Sequence, residues 1–357
     1  LFDQDGYLSW ALFTRRHGAL RELGPARRDR ERPYLKPASP TEVLWYRGLL
    51  GRSFLNTPDG PQEFAYIPKD FLAMLPEITP KKLKELGRLA SAQEQTTSFP
   101  ASDLVLDDAC TILAALRNGL SPEPFLLGQG PIAEFSSVYP RFLEKLLSAA
   151  GLVDPSGMPS PEPVRSFLES GRAESLATLV QTWLNSSQLN ELFFLPDLEM
   201  DGEIRNNPLQ TRQTCLDFLL SAPFQRITLA GEMTPPDAFP AAGSRPYVSL
   251  ASFIAAICQH HPDFQRLAGD YDSWFIRQRS SGLYLRGFEH WDQVEGALIR
   301  FIVCGPLHWL GLVDLASDGA NLSDPNFRYC AFRFSRLAPA LLQGEAPGTV
   351  LEESAKA

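Results

Sequence analysis

Hydrophobic residues recur at helical spacing in one long apolar stretch late in the chain. Trp291, Val294, Leu298 and the pair Phe301-Ile302 occupy positions i, i+3, i+7, i+10 and i+11. Because an α-helix turns once every 3.6 residues, this spacing places all of them on one face. The pattern predicts an amphipathic helix whose apolar face is buried.

Residues that favour helix starts and ends mark further helices. Ser9 and Ser39 are candidate N-caps, and Pro40 suits the first position of the helix after Ser39. We expect the helix after Ser9 to end at Gly18, because glycine is favoured where a helix stops. Comparable patterns predict helices within residues 103–120, 139–153, 172–196, 207–223 and 249–264.

Alternation of apolar and polar residues predicts two β-hairpins. The stretches "RSFLN" and "PQEFAYIP" flank Pro58-Asp59-Gly60, which is a strong turn signal. The stretches "HWLGLVDLA", from His308, and "YCAFRFS", from Tyr329, flank a second polar turn. Each hairpin follows a pair of predicted helices.

Two helices followed by a β-hairpin form the winged-helix variant of the helix-turn-helix motif. We therefore predict an α+β protein, mostly α, built from tandem winged-helix units. The predicted organisation is a first unit at 1–75 with a basic loop, a helix and linker at 76–102, a degenerate second unit at 103–171, connecting helices at 172–205, a third unit at 206–345 and a disordered tail at 346–357. The alternative is a general α+β protein with scattered hairpins.

The sequence resembles one family over most of its length. "GYLSWALFTRRHGALRELGPARRDRERP", "EVLWYRGLLGRSF" and "FAYIP" are similar to bacterial helicase-associated proteins with a domain like the N-terminal region of XPB-type helicases. "PDFQR", "GDYDSWFIR" and "YLRGFEHWDQVEGALIRFIVCGPLHWLGLVDLA" resemble their C-terminal winged unit. The resemblance is weakest over residues 76–130. It implies a DNA-related role and a helicase or transcription component as a protein partner.

Composition fits a globular protein with no membrane-spanning segment. The 357 residues carry a formal net charge of -9, and no run of 18 apolar residues occurs. The odd number of dispersed cysteines predicts buried free thiols and a reducing, cytoplasmic setting. The start at Leu1 suggests a piece of a longer chain or a non-standard start.

Motifs for catalysis and cofactors are absent from the sequence. A helicase motor needs a phosphate-binding loop with a Gly-Lys pair, and this chain has no such pair. Asp270 and Asp272 lack the further acidic residues that a calcium site needs, and no CxxC pair predicts zinc. We expect no enzyme activity, no cofactor, no metal and no small-molecule substrate.

Positive charge is concentrated in residues 21–37, "RELGPARRDRERPYLKP", which we call the basic segment. Arginine binds phosphate through paired hydrogen bonds, so a phosphate contact is the hypothesis for this exposed loop. The candidate nucleic-acid-binding residues in and around it are Arg15, Arg16, Arg27, Arg28, Arg30, Arg32, Lys36, Arg47 and Arg52. By contrast, Asp292, Gln293 and Glu295 make the polar face of the 291–304 helix acidic, which favours a protein partner there.

These features favour a non-catalytic scaffold that contacts the DNA backbone weakly through its first unit. The second hypothesis is a protein-interaction or regulatory module whose basic segment contacts an acidic partner or the acidic parts of its own chain. An enzyme with a site assembled across domains is the third.

Overall fold

The computed structural model describes residues 7–57, 60–72, 85–121, 135–202, 204, 206–223, 225, 245–266, 270–319 and 327–348. The chain divides into two compact units. Unit 1 comprises residues 1–83 and 265–273, and unit 2 comprises residues 84–264 and 274–357. The elements are those of an α+β protein in which helices predominate.

Unit 1 packs short helices against an antiparallel sheet. In chain order its elements are β1 (Tyr7–Ser9), α1 (Trp10–His17), α2 (Pro25–Glu31), α3 (Pro40–Tyr46), β2 (Gly51–Thr57), β3 (Gly60–Tyr66) and α4 (Lys69–Leu72). The strand order is β1-β3-β2, so the central strand β3 pairs with both neighbours. Phe13, Leu50 and Ala65 form a buried cluster between helices and sheet. Burial of these apolar side chains stabilises the unit.

The elements predicted for unit 1 are confirmed, and β1, α2 and α4 are further elements that the sequence does not predict. Helix α1 ends one residue before Gly18, and the Ser39 hydroxyl accepts the Glu42 N–H at 3.1 Å at the start of α3. The predicted hairpin is β2 with β3, although Pro58 and Asp59 lie outside the described residues. The basic segment, predicted as a loop, contains helix α2.

Unit 2 combines two sheets with longer helices. Its helices are α5 (Val105–Arg117), α6 (Tyr139–Ala149), α7 (Pro161–Glu169), α8 (Arg172–Asn185), α9 (Pro208–Leu220), α10 (Leu250–His260), α11 (Ala297–Cys304), α12 (Pro306–Trp309) and α13 (Ala338–Leu342). Its strands are β4 (Thr97–Phe99), β5 (Leu198–Met200), β6 (Val248–Ser249), β7 (Ile276–Gln278), β8 (Val313–Ser317) and β9 (Ala331–Phe334). The first sheet has the order β4-β8-β9-β6, and β5 pairs with β7 in the second.

One aromatic core joins stretches for which the sequence predicted separate units. Phe142 of α6 lies 5.2 Å from Trp309 and 5.6 Å from Phe194, measured between ring centroids. Phe301 of α11 lies 5.8 Å from Trp309. Parts of residues 103–171 and 206–345, for which the sequence predicted separate units, thus contribute to one core within unit 2.

A buried ion pair joins α9 to Glu191, which follows α8 in the chain. The Arg212 guanidinium donates to Glu191 Oε1 at 2.7 Å, to the Trp183 carbonyl at 2.7 Å and to the Ser186 carbonyl at 2.9 Å, and it also donates to the Leu189 carbonyl. A buried charge is tolerated only when it is paired and hydrogen-bonded. Arg212 meets both conditions.

The predicted buried face of residues 291–304 is confirmed. Trp291, Val294, Leu298 and Phe301 are all at most 2% exposed. Glu295, predicted on the polar face, is fully buried. Residues Asp292–Gly296 form a turn of π-helix ahead of α11. Glu295 lies four residues after Trp291 and three before Leu298, so helical spacing places it on the same side as these apolar residues.

Two further elements differ from prediction. The strand predicted from His308 begins at Val313, because Pro306 opens the short helix α12, which contains Trp309. Within the predicted linker, Thr97–Phe99 is strand β4 and pairs with β8. The helix predicted nearby and the tail lie largely outside the described residues.

The cysteines are free thiols, but not all are buried. Cys215 and Cys304 are buried, Cys258 and Cys330 are partly buried, and Cys110 is exposed at the outer face of α5. No helix in the described ranges is long and apolar enough to cross a bilayer.

Candidate nucleic-acid interface

The carboxylate of Glu42 closes the base of the basic segment. Glu42 Oε1 accepts the Arg21 backbone N–H at 3.1 Å and Arg21 Nε at 2.7 Å. Glu42 Oε2 accepts Arg21 Nη2 at 2.8 Å and the Ala38 backbone N–H at 2.7 Å. One fully buried side chain therefore holds both ends of the segment together.

These contacts fix the ionisation state of Glu42. The hydrogen bond from Arg21 is the main reason why the pKa of Glu42 falls to about 2, and the backbone N–H groups of Ala38 and Arg21 lower it further against the opposing effect of burial. The carboxylate is charged at every physiological pH.

Arg21 also ties the base of the segment to its interior. Its Nη1 lies 3.4 Å from Glu31 Oε2 at the end of α2, and its Nη2 donates to the Lys36 carbonyl at 3.4 Å. Helix α2 is thus held from its C-terminal end, although it has no buried residue of its own. Packing of apolar side chains from α2 therefore contributes little to the position of this helix.

Arg32 ends helix α2 in an unusual backbone conformation. Its φ of 45° and ψ of 59° lie in the left-handed region, where glycine is the usual residue. The Arg32 N–H donates to the Arg28 carbonyl at 2.9 Å, and the Arg32 carbonyl accepts the Leu35 and Lys36 N–H groups at 2.9 and 3.0 Å. A side chain at this φ costs roughly 1–2 kcal/mol relative to a relaxed conformation.

The structure divides the predicted binding residues into two groups. The first group is exposed and forms no ion pair within the described ranges; it consists of Arg28, Arg30, Arg32, Lys36 and Arg47. Four of these residues lie on or just after α2, and Arg47 follows α3. They supply a local excess of positive charge.

Residues of the second group contact other parts of unit 1. Arg27 pairs with Glu31 at 2.6 Å. Arg52 pairs with Glu63, lies 3.3 Å from Glu22 and stacks 5.1 Å from the Trp10 ring centroid. Arg15 stacks 4.9 Å from the Tyr271 ring centroid. The side chain of Arg16 lies outside the described residues.

Arg21 and Glu42, which fix the base of the basic segment, are not among the residues that the sequence predicts for the interface. Ser39 and Glu42 have the S-x-x-E spacing of a capping box, in which the acidic residue reaches back to the backbone at the helix start. In the structure Glu42 does reach back, to the Ala38 N–H. The spacing was the available signal, whereas no sequence pattern indicates the partner Arg21.

In the described part of the chain, no group of three or more His, Cys, Asp or Glu side chains is arranged to hold a metal ion. Asp270 is one of the two aspartates whose spacing was compared with a calcium site. Its Oδ1 accepts the Ser273 N–H at 2.9 Å and so stabilises a turn. Comparison with protein-family models, curated proteins and solved structures gives no match.

Proposed function

We propose that this protein is a non-catalytic DNA-associated scaffold whose unit 1 contacts the phosphate backbone through the basic segment. The observation that carries the proposal is the group of exposed basic side chains, Arg28, Arg30, Arg32 and Lys36, on a segment whose base is closed by Glu42. Arginine and lysine side chains that neutralise phosphates release counterions, which drives binding without reading base sequence.

The conformation of Arg32 supports this proposal. A residue kept in the left-handed region against a conformational cost suggests a function for its side chain. Glycine would serve the backbone better at this position but would remove a positive charge. A phosphate contact explains why arginine is used.

The element order of unit 1 also fits the proposal. A strand, helices and a hairpin in an antiparallel sheet of order β1-β3-β2 is the arrangement that a winged-helix unit would have. In such a unit α3, with Arg47 after its last turn, would be the recognition helix and β2–β3 the wing. The sequence resemblance to helicase-associated proteins, and a helicase as partner, belong to the same proposal.

The expected binding is weak. The net charge of -9 opposes approach to DNA over long distances, so only the local excess favours contact. With four phosphates neutralised, log K should fall against log salt with a slope of about -3.6 on duplex DNA. The dissociation constant near physiological salt should be roughly micromolar or weaker, as for nonspecific binding.

Fluorescence anisotropy of a labelled duplex at several salt concentrations tests the proposal. Replacing Arg28, Arg30, Arg32 and Lys36 by Ala should abolish most binding and flatten the salt slope. A matched control removes the same charge from exposed residues of unit 2, by replacing Arg117, Lys145, Arg165 and Arg336 with Ala. The control should bind as the unmodified protein does.

The variant Arg32→Gly distinguishes a loss of DNA binding from a loss of stability. This variant should be as stable as the unmodified protein or more stable by up to about 1 kcal/mol, because glycine relieves the backbone cost. Its affinity for duplex should fall and its salt slope should shrink by about 1.

The second candidate, a protein-interaction module, has a specific observation behind it. Arg27 and Arg52 already pair with carboxylates of their own unit, so basic side chains in this region recognise acidic groups. If the unmodified protein shows no duplex binding at low salt, or both fourfold variants behave alike, the DNA proposal is overturned and this candidate replaces it.

A further inference from the structure

Arg245 is a buried arginine of unit 2 whose guanidinium has no partner among the described residues. The residue is 5% exposed, and its Nε and Nη1 atoms form no hydrogen bond. Burial lowers the pKa of Arg245 because it removes water from the charged group, yet arginine stays protonated in proteins. Arg245 therefore places an unpaired positive charge inside the folded chain.

Arg212, a second buried arginine of the same unit, shows which partners such a charge requires. Its guanidinium pairs with Glu191 at 2.7 Å and also donates to the Trp183 and Ser186 carbonyls. A buried charge without partners of this kind is strongly unfavourable. Arg245 has a burial close to that of Arg212 and lacks its partners.

The buried carboxylate of Asp314, which is linked to the Arg245 backbone through Arg333, is already neutralised. Arg333 Nη1 donates to the Arg245 carbonyl at 3.1 Å, and Arg333 Nε pairs with Asp314 Oδ2 at 3.0 Å. Asp314 Oδ1 accepts the Ala101 N–H at 2.9 Å. Each oxygen of Asp314 thus has a partner, and Arg333 balances its charge. The charge of Arg245 stays in excess.

The backbone around Arg245 is held in place. Pro246 restricts the preceding residue, Arg245, to extended conformations, and the Pro246 carbonyl accepts Gln225 Nε2 at 3.0 Å. Gln225 is fully buried, and its Oε1 accepts the Phe334 N–H at 2.8 Å. Strand β6 begins two residues after Pro246, at Val248, and pairs with β9. The guanidinium, with its planar set of N–H donors, is therefore carried by a fixed backbone.

We propose that Arg245 binds a small monovalent anion, a halide or a short carboxylate, inside unit 2. One negative charge balances the guanidinium, whereas a dianion would leave a buried negative charge in excess. Guanidinium N–H groups bind anions through charge-assisted hydrogen bonds, which are stronger than those between neutral groups. The proposal concerns unit 2 and does not depend on DNA binding by unit 1.

Denaturant unfolding of the full chain in sodium chloride tests this proposal, with the ionic strength held constant by the bulky HEPES anion. An anion that binds the folded state stabilises it in proportion to its occupancy. With a dissociation constant of about 10 mM, the folding equilibrium constant should rise about tenfold between about 1 and 100 mM chloride. A parallel titration with sodium acetate distinguishes a short carboxylate from a halide by which of the two gives the larger rise.

Two variants of Arg245 locate the binding. Arg245→Met removes the charge, so its stability should not respond to either anion. At low chloride it should unfold at the same denaturant concentration as the unmodified protein or at a higher one, because an unpaired buried charge has been removed. Arg245→Lys keeps the charge and should keep a smaller rise. Arg117→Met, at an exposed position of α5, is the matched control and should keep the full rise.

Chloride NMR gives a second readout in solution. The chloride signal broadens when the ion exchanges with a bound site, and this broadening should decrease in Arg245→Met and stay unchanged in Arg117→Met. The proposal is overturned if neither anion stabilises the unmodified protein, or if Arg245→Met gains as much stability from both anions as the unmodified protein does. The titration of the unmodified protein decides the first outcome even where Arg245→Met fails to fold.

Discussion

Glu42 determines, at the scale of single residues, where the basic segment lies. Its pKa is lowered to about 2 in the folded protein, against an ordinary value near 4.5. A group with a depressed folded pKa stabilises the fold above its unfolded pKa, and this stabilisation is lost as pH falls toward the folded pKa. Ionised Glu42 therefore contributes fully above about pH 5, and the contribution disappears between about pH 4.5 and pH 2.

Glu42→Gln should destabilise unit 1 by about 2–3 kcal/mol at neutral pH, because the shift corresponds to about 3 kcal/mol and Arg21 is partly exposed to solvent. Hydrogen exchange at the Arg21 and Ala38 amides measures this directly, since both donate to the Glu42 carboxylate. Protection in the unmodified protein should fall between pH 5 and pH 3, whereas the variant should show little pH dependence. Glu22→Gln, whose side chain is 82% exposed, serves as control and should change stability by less than about 0.5 kcal/mol.

At the scale of elements, the 291–304 helix is the clearest test of packing. Leu298 is 1% exposed on the face that the apolar spacing predicted. Leu298→Ala should lower the free energy of unfolding by about 2–5 kcal/mol, the usual range for a core leucine. Denaturant unfolding provides the value, with Lys145→Ala on the surface of α6 as control. A loss below about 1 kcal/mol would contradict the close packing of this face.

Periodic elements could be predicted from the sequence, and elements that depend on distant partners could not. Helices such as α1, α3 and α8 follow from caps and apolar spacing, and the β2–β3 hairpin follows from a local turn. Strand β4 has only three residues, and it is a strand because it pairs with β8, which is more than 200 positions away. The inward position of Glu295, by contrast, agrees with the helical period, because Glu295 lies four residues after Trp291 and three before Leu298.

The candidate interface could be predicted in part for the same reason. Charge density identifies the basic segment, and the exposed residues Arg28, Arg30 and Arg32 are among the predicted binding residues. Helix α2 has no apolar stripe to reveal it, and its position depends on Arg21 and Glu42, which are 21 residues apart. The pairing of Arg52 with Glu63 likewise required the hairpin register.

At the scale of the whole molecule, unit 1 is completed by residues from far along the chain. Residues 265–273 belong to it, although the chain on both sides of them belongs to unit 2. Within this stretch, the buried Tyr271 ring contacts two guanidinium groups, those of Arg15 and Arg266. Each lies 4.9 Å from the ring centroid. Cation–π contacts of this kind add to the stabilisation from burial.

Tyr271→Ala should therefore destabilise unit 1 by about 3 kcal/mol or more while leaving the core of unit 2 intact. Hydrogen exchange read by mass spectrometry should show faster exchange in β2 and β3 and unchanged exchange in α11. Tyr34→Ala, at a site 52% exposed, should alter neither region. Equal acceleration in both units would contradict a role of Tyr271 confined to unit 1.

The closed base of the basic segment has a consequence for how this protein can change over evolution. Because Glu42 joins Arg21 to Ala38, the residues between them begin and end at fixed points whatever their own sequence is. The entropic cost of closing such a loop grows only slowly with its length. We therefore expect insertions, deletions and charge reversals between the two ends to leave strands β1 to β3 largely unchanged. The segment is in this sense exchangeable, and we expect a peptide of different sequence to be accepted between Arg21 and Ala38.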